Sequence, residues 1–289
     1  MTRFAPLTLL SITVIWGWTF VLVKQGMSEV GPLTFLAARF LIAFVVLAGL
    51  MPGVLRRIDR STLRAGAVIG VALFGGYLFQ TWGLVYTTAT KSGLITGLSV
   101  VIVPLLAAAV NRNRVGLKAW IGAFLAAGGL ALLVLGRGRL SSINFGDFLT
   151  LICAVSYAAH IVLIDRYVRR VDYRGLLLVQ VGTVAALSTV GALLFESLPT
   201  HLSGGLIEGI LVTGVLATAL ALYILNRFQS YSTAAYTAII LTMEPVFAAL
   251  FGAILLGETL GPLQIAGAVV IVVSTLIPKL SVRPARTGR

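Results

Sequence analysis

An acidic side chain lies in the middle of one of the most apolar stretches of the chain. Residues 233–256 read TAAYTAIILTMEPVFAALFGAILL, with Glu244 and Pro245 at the midpoint. A carboxylate at membrane depth costs about 2.5–3.5 kcal/mol even on lenient insertion scales, so it is expected to face protein or water. Glu244 is therefore a candidate for binding a substrate amine or exchanging protons. The alternative is a structural acid that is hydrogen-bonded across helices.

The same stretch occurs a second time, 141 positions earlier, where Pro104 corresponds to Pro245. A proline inside a helix removes one backbone donor, so both copies are predicted to be kinked at their prolines. Positions spaced i, i+4, i+7 and i+11 share one helical face, which predicts a polar face in each copy. Its members are Ser92, Thr96 and Ser99 in the first copy and Thr237 and Glu244 in the second.

Other polar and aromatic side chains in the apolar segments complete the candidate site. His160 lies one helical turn from Ser156 and could titrate near neutral pH, which makes it, with Glu244, a candidate for coupling transport to protons. Gln80 carries an uncharged amide suited to a zwitterion or an amide group. For both side chains the alternative is a hydrogen bond to a neighbouring helix. The remaining predicted substrate-binding residues are Trp16, Thr19, Tyr77 and Tyr157.

Two basic residues lie within or beside the apolar segments. Arg39 is expected to bond a backbone carbonyl or to extend towards the membrane interface rather than to contact a substrate. Lys91, at the end of an apolar segment, is expected to be solvated.

The composition predicts an integral membrane protein. Of the 289 residues 58% are hydrophobic and 11% charged, and the mean hydropathy is +1.03. The net charge of +13 comes from Lys and Arg concentrated in alternate loops, which predicts cytoplasmic termini and requires no nucleic-acid partner. Ten apolar runs are each long enough to cross about 30 Å of hydrocarbon. They are residues 6–26, 33–50, 65–85, 92–110, 117–135, 145–164, 176–195, 206–226, 233–256 and 263–280.

The internal repeat predicts two inverted halves, residues 1–140 and residues 141–289. Each half contains five spans, and because five is an odd number the second half must enter the membrane from the opposite side. Inverted repeats with interrupted helices are typical of secondary transporters, whose binding sites lie near the middle of the membrane between the repeats. The predicted fold is therefore an all-α membrane protein of ten transmembrane helices.

Several motifs resemble the drug/metabolite transporter superfamily, specifically proteins with two EamA domains. They are WGWTFVLVK, PLTFLAARF, QTWGLVYTTATKSGLITGLSVVIVP and MEPVFAALFGAILLGETLGPLQIAGA. The resemblance implies a ten-helix inverted-repeat fold with a central cavity lined mainly by spans 1, 3, 4, 6, 8 and 9. The first half lacks an equivalent of Gly257 and Glu258. The first span has Trp16 and Gly17 where related small multidrug exporters place an essential glutamate, so their cation antiport is not expected here.

The inverted repeat predicts a secondary transporter that works by alternating access, and the resemblance implies that it exports small organic metabolites across a bacterial inner membrane. Amino acids, aromatic or amphipathic ones included, are the substrates that the resemblance favours, and the energy would come from a proton or solute gradient. The protein is expected to be a monomer without a metal or cofactor. The alternatives are an intramembrane hydrolase or lipid-modifying transferase, for which no catalytic motif is present, and a channel or facilitator, for which no charged ring is present.

Overall fold

The chain folds into helices arranged as ten membrane spans in a computed structural model. The structure describes residues 5–26, 28–111, 115–135, 143–197, 199, 201–256 and 259–277. The helices are α1 (Ala5–Gly26), α2 (Pro32–Leu50), α3 (Arg60–Tyr86), α4 (Ala89–Gly97), α5 (Ser99–Asn111), α6 (Leu117–Leu135), α7 (Phe145–Tyr167), α8 (Tyr173–Phe195), α9 (Gly204–Gly214), α10 (Ala221–Gln229), α11 (Ala234–Leu241), α12 (Glu244–Leu256) and α13 (Pro262–Leu276), with a 3₁₀ turn at Leu55–Arg57 and a π-helical segment at Val215–Leu220.

The ten predicted spans are confirmed. Seven segments of the described chain are long and apolar enough to cross a membrane, and three shorter apolar helices complete the set. Polar residues fix where several helices begin. The Asp59 side chain accepts from Thr62 N, and Asn144 and Asp147 form a reciprocal capping box at the start of α7. The Asp59 carboxylate is held as an anion by its bonds to Thr62, which lowers its pKa.

In the part of the chain that the structure describes, three spans are interrupted. The fourth consists of α4 and α5, the eighth of α9, the π-helical segment and α10, and the ninth of α11 and α12. The break in the ninth span, at Thr242 and Met243, directly precedes Glu244, so Pro245 lies in the first turn of α12, where a missing backbone N–H costs nothing.

The break in the fourth span does not lie at its proline. Pro104 is inside α5, whereas the helix is interrupted at Leu98, directly after Gly97. Glycine is a poor helix former, and a Cβ at Gly97 would lie 2.7 Å from Leu130 Cδ1. Close packing against α6 therefore requires glycine at position 97. Glycine is also the residue type at which a helix is easily interrupted.

Glycines bring several helix backbones into direct contact. Along α3 and α7, a Cβ at Gly83 would lie 3.0 Å from Gly146 O, and one at Gly146 would lie 2.6 Å from Gly83 O. Between α6 and α13, a Cβ at Gly267 would lie 2.6 Å from Gly129 O. Small residues at such contacts are typical of membrane helices, whose association depends on close packing rather than on exclusion of water.

Three parts of the sequence analysis concern residues outside the described part of the chain. They are the boundary between the halves at residues 140 and 141, the Gly257–Glu258 pair, and the last three residues of the tenth predicted span.

Candidate functional site

A central cavity of about 100 Å³ lies between the two halves of the chain and is partly open to solvent. Its walls come from spans 1, 3, 4, 6, 8 and 9, the spans that the resemblance implied, with Arg39 added from the second span. The predicted residues that line it are Trp16, Thr19, Tyr77, Gln80, Thr96, Ser99, Tyr157, His160 and Glu244.

Glu244 supplies the carboxylate of the cavity. It is the first residue of α12, so its negative charge lies at the positive end of a helix dipole. Its side chain has no hydrogen-bond or ion-pair partner among the described residues, whose ion pairs are Lys91–Asp147 and Asp165–Arg169. The alternative in which Glu244 is bonded across helices therefore finds no support in this part of the chain.

Glu244 is held in place by backbone packing. A Cβ at Gly17 of α1 would lie 3.0 Å from Glu244 O and 2.9 Å from Ala248 N. The first helix thus approaches α12 as closely as glycine allows. Gly17 is the residue that makes this approach possible.

Arg39 is a buried cation in the same cavity, with a relative exposure of 4%. Its Nε donates to Thr218 Oγ1 at 2.6 Å, and its Nη2 donates to Tyr77 Oη and Ala217 O, each at 3.4 Å. The guanidinium carbon lies 4.7 Å from the centre of the Tyr77 ring, a cation–π contact. The expected bond to a backbone carbonyl is present, but Arg39 lines the cavity instead of extending to the interface.

The π-helical segment Val215–Leu220 provides partners for the first two helices. The Ala217 carbonyl accepts from Arg39 and also from Trp16 Nε1, at 2.8 Å. Thr218 Oγ1 accepts from Arg39 and donates to Thr213 O. A π-helical turn leaves backbone carbonyls without their usual partners, and such turns are frequent at functional sites.

His160 both lines the cavity and bonds to a neighbouring helix. Its Nε2 lies 2.8 Å from Gln180 Oε1, Gln180 Nε2 donates to Asn226 Oδ1 at 2.9 Å, and Asn226 Nδ2 donates to Leu222 O. All three side chains are almost fully buried. The histidine is therefore the cavity end of a buried hydrogen-bonded chain through α8 and α10.

Gln80 joins three helices at the cavity wall. Its amide oxygen accepts from Tyr157 Oη at 3.2 Å, and its amide nitrogen donates to Thr96 Oγ1 at 3.3 Å. Thr96 Oγ1 also lies 3.7 Å from the Sγ of the buried Cys153. The Gln80 amide is hydrogen-bonded to side chains of neighbouring helices, as its alternative interpretation predicts. It also lines the cavity.

Ser92 and Thr237 are the two predicted binding residues that do not line this cavity. Both side chains are fully buried, and neither hydroxyl has a partner among the described residues. The predicted face through Thr237 and Glu244 assumed one continuous helix. The break at Thr242 and Met243 separates α11 from α12, so helical periodicity no longer places the two residues on one face.

Lys91 is not solvated, so that expectation is wrong. Its Nζ lies 2.5 Å from Asp147 Oδ2, and the two side chains are only 12% and 7% exposed. Asp147 also accepts from Thr87 Oγ1 at 2.6 Å and from Asn144 N at 3.1 Å. This group, here called the Asp147 cluster (Thr87, Lys91, Asn144 and Asp147), joins the end of α3 to the starts of α4 and α7.

The comparisons with known proteins agree with this architecture. The EamA-like transporter family matches residues 3–135 and again residues 144–278, the same offset of 141 positions that relates the two proline segments. An uncharacterized transporter of Archaeoglobus fulgidus is 34% identical over 279 residues, 96% of this chain and 87% of that protein. A probable amino-acid metabolite efflux pump of Salmonella typhimurium is 27% identical over 324 residues, 100% of this chain and 99% of that protein.

A crystal structure with 22% sequence identity has the same fold, with a TM-score of 0.76 over 94% of this chain and 95% of its own. The resemblance seen in the sequence motifs is thus confirmed. Because the family matches both halves and the archaeal relative exceeds 30% identity over most of the chain, the protein belongs to the EamA-like transporter family.

Proposed function

We propose that the protein is a secondary transporter that exports amino acids across the bacterial inner membrane by alternating access. The observation that carries the proposal is the cavity between the two inverted halves, in which the Glu244 carboxylate has no partner among the described residues. An unpaired carboxylate in a membrane interior is unfavourable, and a substrate ammonium group would relieve that cost.

The rest of the cavity suits the remainder of an amino acid. Trp16, Tyr77 and Tyr157 supply aromatic surface for an apolar or aromatic side chain. Gln80 and Thr96 supply amide and hydroxyl groups beside it. The Salmonella relative, a probable amino-acid metabolite efflux pump, supports the same substrate class.

Alternating access would use the interrupted spans. Spans 4, 8 and 9 each contain a break or a π-helical segment, and each contributes residues to the cavity. Rocking of one half against the other about these breaks would expose Glu244 to each side in turn. Glu244 and His160 are the groups through which a proton gradient would act, and a gradient of another solute is the alternative energy source.

The topology of the proposal follows the charge pattern of the loops. The Arg56–Arg57 loop and the Arg169–Arg170 loop lie on the side where α1 begins, which is assigned to the cytoplasm. Export then carries the substrate from that side to the side on which α1 ends. A monomer is sufficient, because the cavity is formed within one chain.

Transport by purified protein in proteoliposomes tests the proposal, with a panel of radiolabelled amino acids. We expect saturable flux and counterflow for at least one of them. Glu244→Gln should lower that flux about tenfold or more, because a charge-assisted hydrogen bond contributes about 1.5–3 kcal/mol. Glu208→Gln is the matched control, since this glutamate is exposed on α9, away from the cavity.

Two results would overturn the proposal. One is the absence of saturable flux for every amino acid in wild-type protein. The other is flux that rises linearly with concentration and shows no counterflow, which is the behaviour of a channel.

A further inference from the structure

The bonds that Arg39 makes leave part of its guanidinium unused. Nε has one short bond, to Thr218 Oγ1, whereas the two bonds of Nη2 are long, at 3.4 Å each. Nη1 donates to none of the described residues, and all the partners of Arg39 are neutral. The side chain is 4% exposed, so its charge is withdrawn from water without a carboxylate partner in this part of the chain.

A buried guanidinium that has only neutral partners and unused N–H groups is suited to binding an anion. Its N–H groups form a planar fork that matches the two oxygens of a carboxylate, and such paired bonds are among the strongest that proteins make. Thr218 and the Ala217 carbonyl fix one edge of the fork against the π-helical segment. The Tyr77 ring supports its face, so the orientation is set before a ligand arrives.

The opposite charge lines the same cavity. Glu244 and Arg39 both contribute to its wall, yet they form no ion pair with each other at 4 Å or less. Two opposite charges that remain apart across a shared cavity would both be satisfied by a ligand that carries an ammonium and a carboxylate. A simple amine would satisfy only Glu244.

We propose that Arg39, held by Thr218 and Tyr77, is the carboxylate subsite of the cavity and makes the transporter prefer zwitterions to amines, amides and esters of the same size. This inference rests on the proposed function and adds to it the group that selects among ammonium-bearing solutes. The second half carries Gln180 at the position equivalent to Arg39, so the subsite belongs to one half only. The asymmetry matches that of Glu244, whose equivalent position is Val103.

The competing explanation is structural: Arg39 would only tie α2 to the π-helical segment. Such a role predicts that replacing Arg39 lowers the transport of every solute alike. A carboxylate subsite predicts that only solutes with a carboxylate are affected. The ratio of fluxes for matched solutes therefore separates the two roles, whereas protein stability does not.

The experiment measures proteoliposome uptake of phenylalanine, phenylalaninamide and phenethylamine, and of leucine, leucinamide and isoamylamine. Wild-type protein should carry at least one of the zwitterions with a kcat/KM at least about tenfold above those of its amide and amine. Arg39→Gln, which copies the residue of the second half, should remove that preference. Flux of the zwitterion should fall about tenfold, with amide and amine flux within about twofold of wild type. Arg39→Lys should keep part of the preference, and Glu244→Gln should lower the flux of every solute that wild type carries.

The wild-type series decides the inference even if the Arg39 variants do not fold. Equal transport of an amino acid and its amide by wild type would overturn the carboxylate subsite while leaving the protein's role as a transporter intact. Equal loss for all solutes in Arg39→Gln would also overturn it and assign Arg39 a structural role. No flux for any of the six solutes, and none for the amino-acid panel, would overturn the proposed function and the carboxylate subsite together.

Discussion

The polar side chains of the cavity differ in whether they form hydrogen bonds with neighbouring helices. Gln80 and His160 have protein partners on adjacent helices, whereas Glu244 has none among the described residues. Polar groups that are hydrogen-bonded to the protein are fixed in orientation, whereas a charge without a protein partner is available to a ligand. The strongest ligand contacts are therefore expected at Glu244, with the amide and imidazole shaping the wall.

Trp16 gives a test of how the cavity wall is supported. Trp16→Phe keeps an aromatic ring but removes the N–H that donates to Ala217 O at 2.8 Å. We expect the free energy of unfolding to fall by about 0.5–1.5 kcal/mol and KM to rise, because a carbonyl of the π-helical segment loses a donor. Trp18→Phe is the control, since Trp18 is 40% exposed on the outer face of the same helix. Thermal unfolding in detergent and uptake kinetics measure both, and equal effects of the two substitutions would contradict the prediction.

At this scale the sequence indicated the candidate residues but not their partners. Its position in an apolar segment predicts His160 as a cavity residue, but no sequence pattern indicates Gln180 and Asn226, which complete its hydrogen-bonded chain. Helical periodicity shows which residues share a face of one helix, but it cannot show which faces of different helices meet. The prediction that Thr237 shares a face with Glu244 does not hold for a related reason, since periodicity cannot be carried across a break in a helix.

Spans that are divided into two or more helical segments line the cavity. The breaks at Leu98 and at Thr242 lie in equivalent spans of the two halves, and the π-helical segment lies in the eighth span. A proline and an acid within an apolar run make an interruption of the ninth span predictable. The π-helical segment was not predictable, because the residues VLATAL have the composition of an ordinary apolar helix.

The Asp147 cluster gives a prediction about how helix ends are joined. In a double-mutant cycle with Lys91→Met and Asp147→Asn, we expect a coupling energy of at least about 1 kcal/mol, because the pair is largely withdrawn from water. The more exposed Asp165–Arg169 pair, between the last turn of α7 and the turn that follows it, should give about 0.5 kcal/mol or less. Thermal unfolding of the purified variants measures both. A Lys91–Asp147 coupling no larger than that of Asp165–Arg169 would show that burial adds nothing.

The contact between α6 and α13 gives a second prediction, with neighbouring residues as probe and control. At Gly129 a Cβ would lie 2.8 Å from Gly267 O, whereas at Gly128 nothing lies within 4 Å. Gly129→Val should lower the melting temperature strongly, because overpacking costs about 1–3 kcal/mol or more when backbone must move. Gly128→Val should have little effect. Similar melting temperatures for the two variants would contradict the observed packing.

The overall architecture can be predicted from the sequence more completely than the contacts between individual side chains. Ten spans, two halves and the inverted relation between them follow from hydropathy and from a repeat at 141 positions, and the family match at residues 3–135 and 144–278 bears out the repeat. These properties depend on long apolar runs, which a bilayer selects strongly. Contacts between distant polar groups, such as Arg39 with Thr218, depend on the packing of many helices and leave no comparable pattern.

Cysteine labelling tests the orientation of the molecule in the membrane. The chain has one cysteine, the buried Cys153, so Cys153→Ala provides a background without thiols. Leu202→Cys, in the exposed connection between α8 and α9, should react with a membrane-impermeant maleimide in intact cells. Arg57→Cys, in the exposed turn after α2, should react only after the cells are permeabilised. The reverse pattern would place both termini outside the cell.

The start of α2 is capped by a residue from the other half of the chain. The Glu196 carboxylate accepts from Leu33 N at 2.9 Å and from Thr34 N and Thr34 Oγ1 at 2.8 Å each. During synthesis the ribosome must add about 160 further residues before this acceptor exists, so the start of α2 reaches its final form only after α7 and α8 have been made. Fragments ending after α6 should consequently be short-lived in cells, and co-expression of the missing half should extend their lifetime.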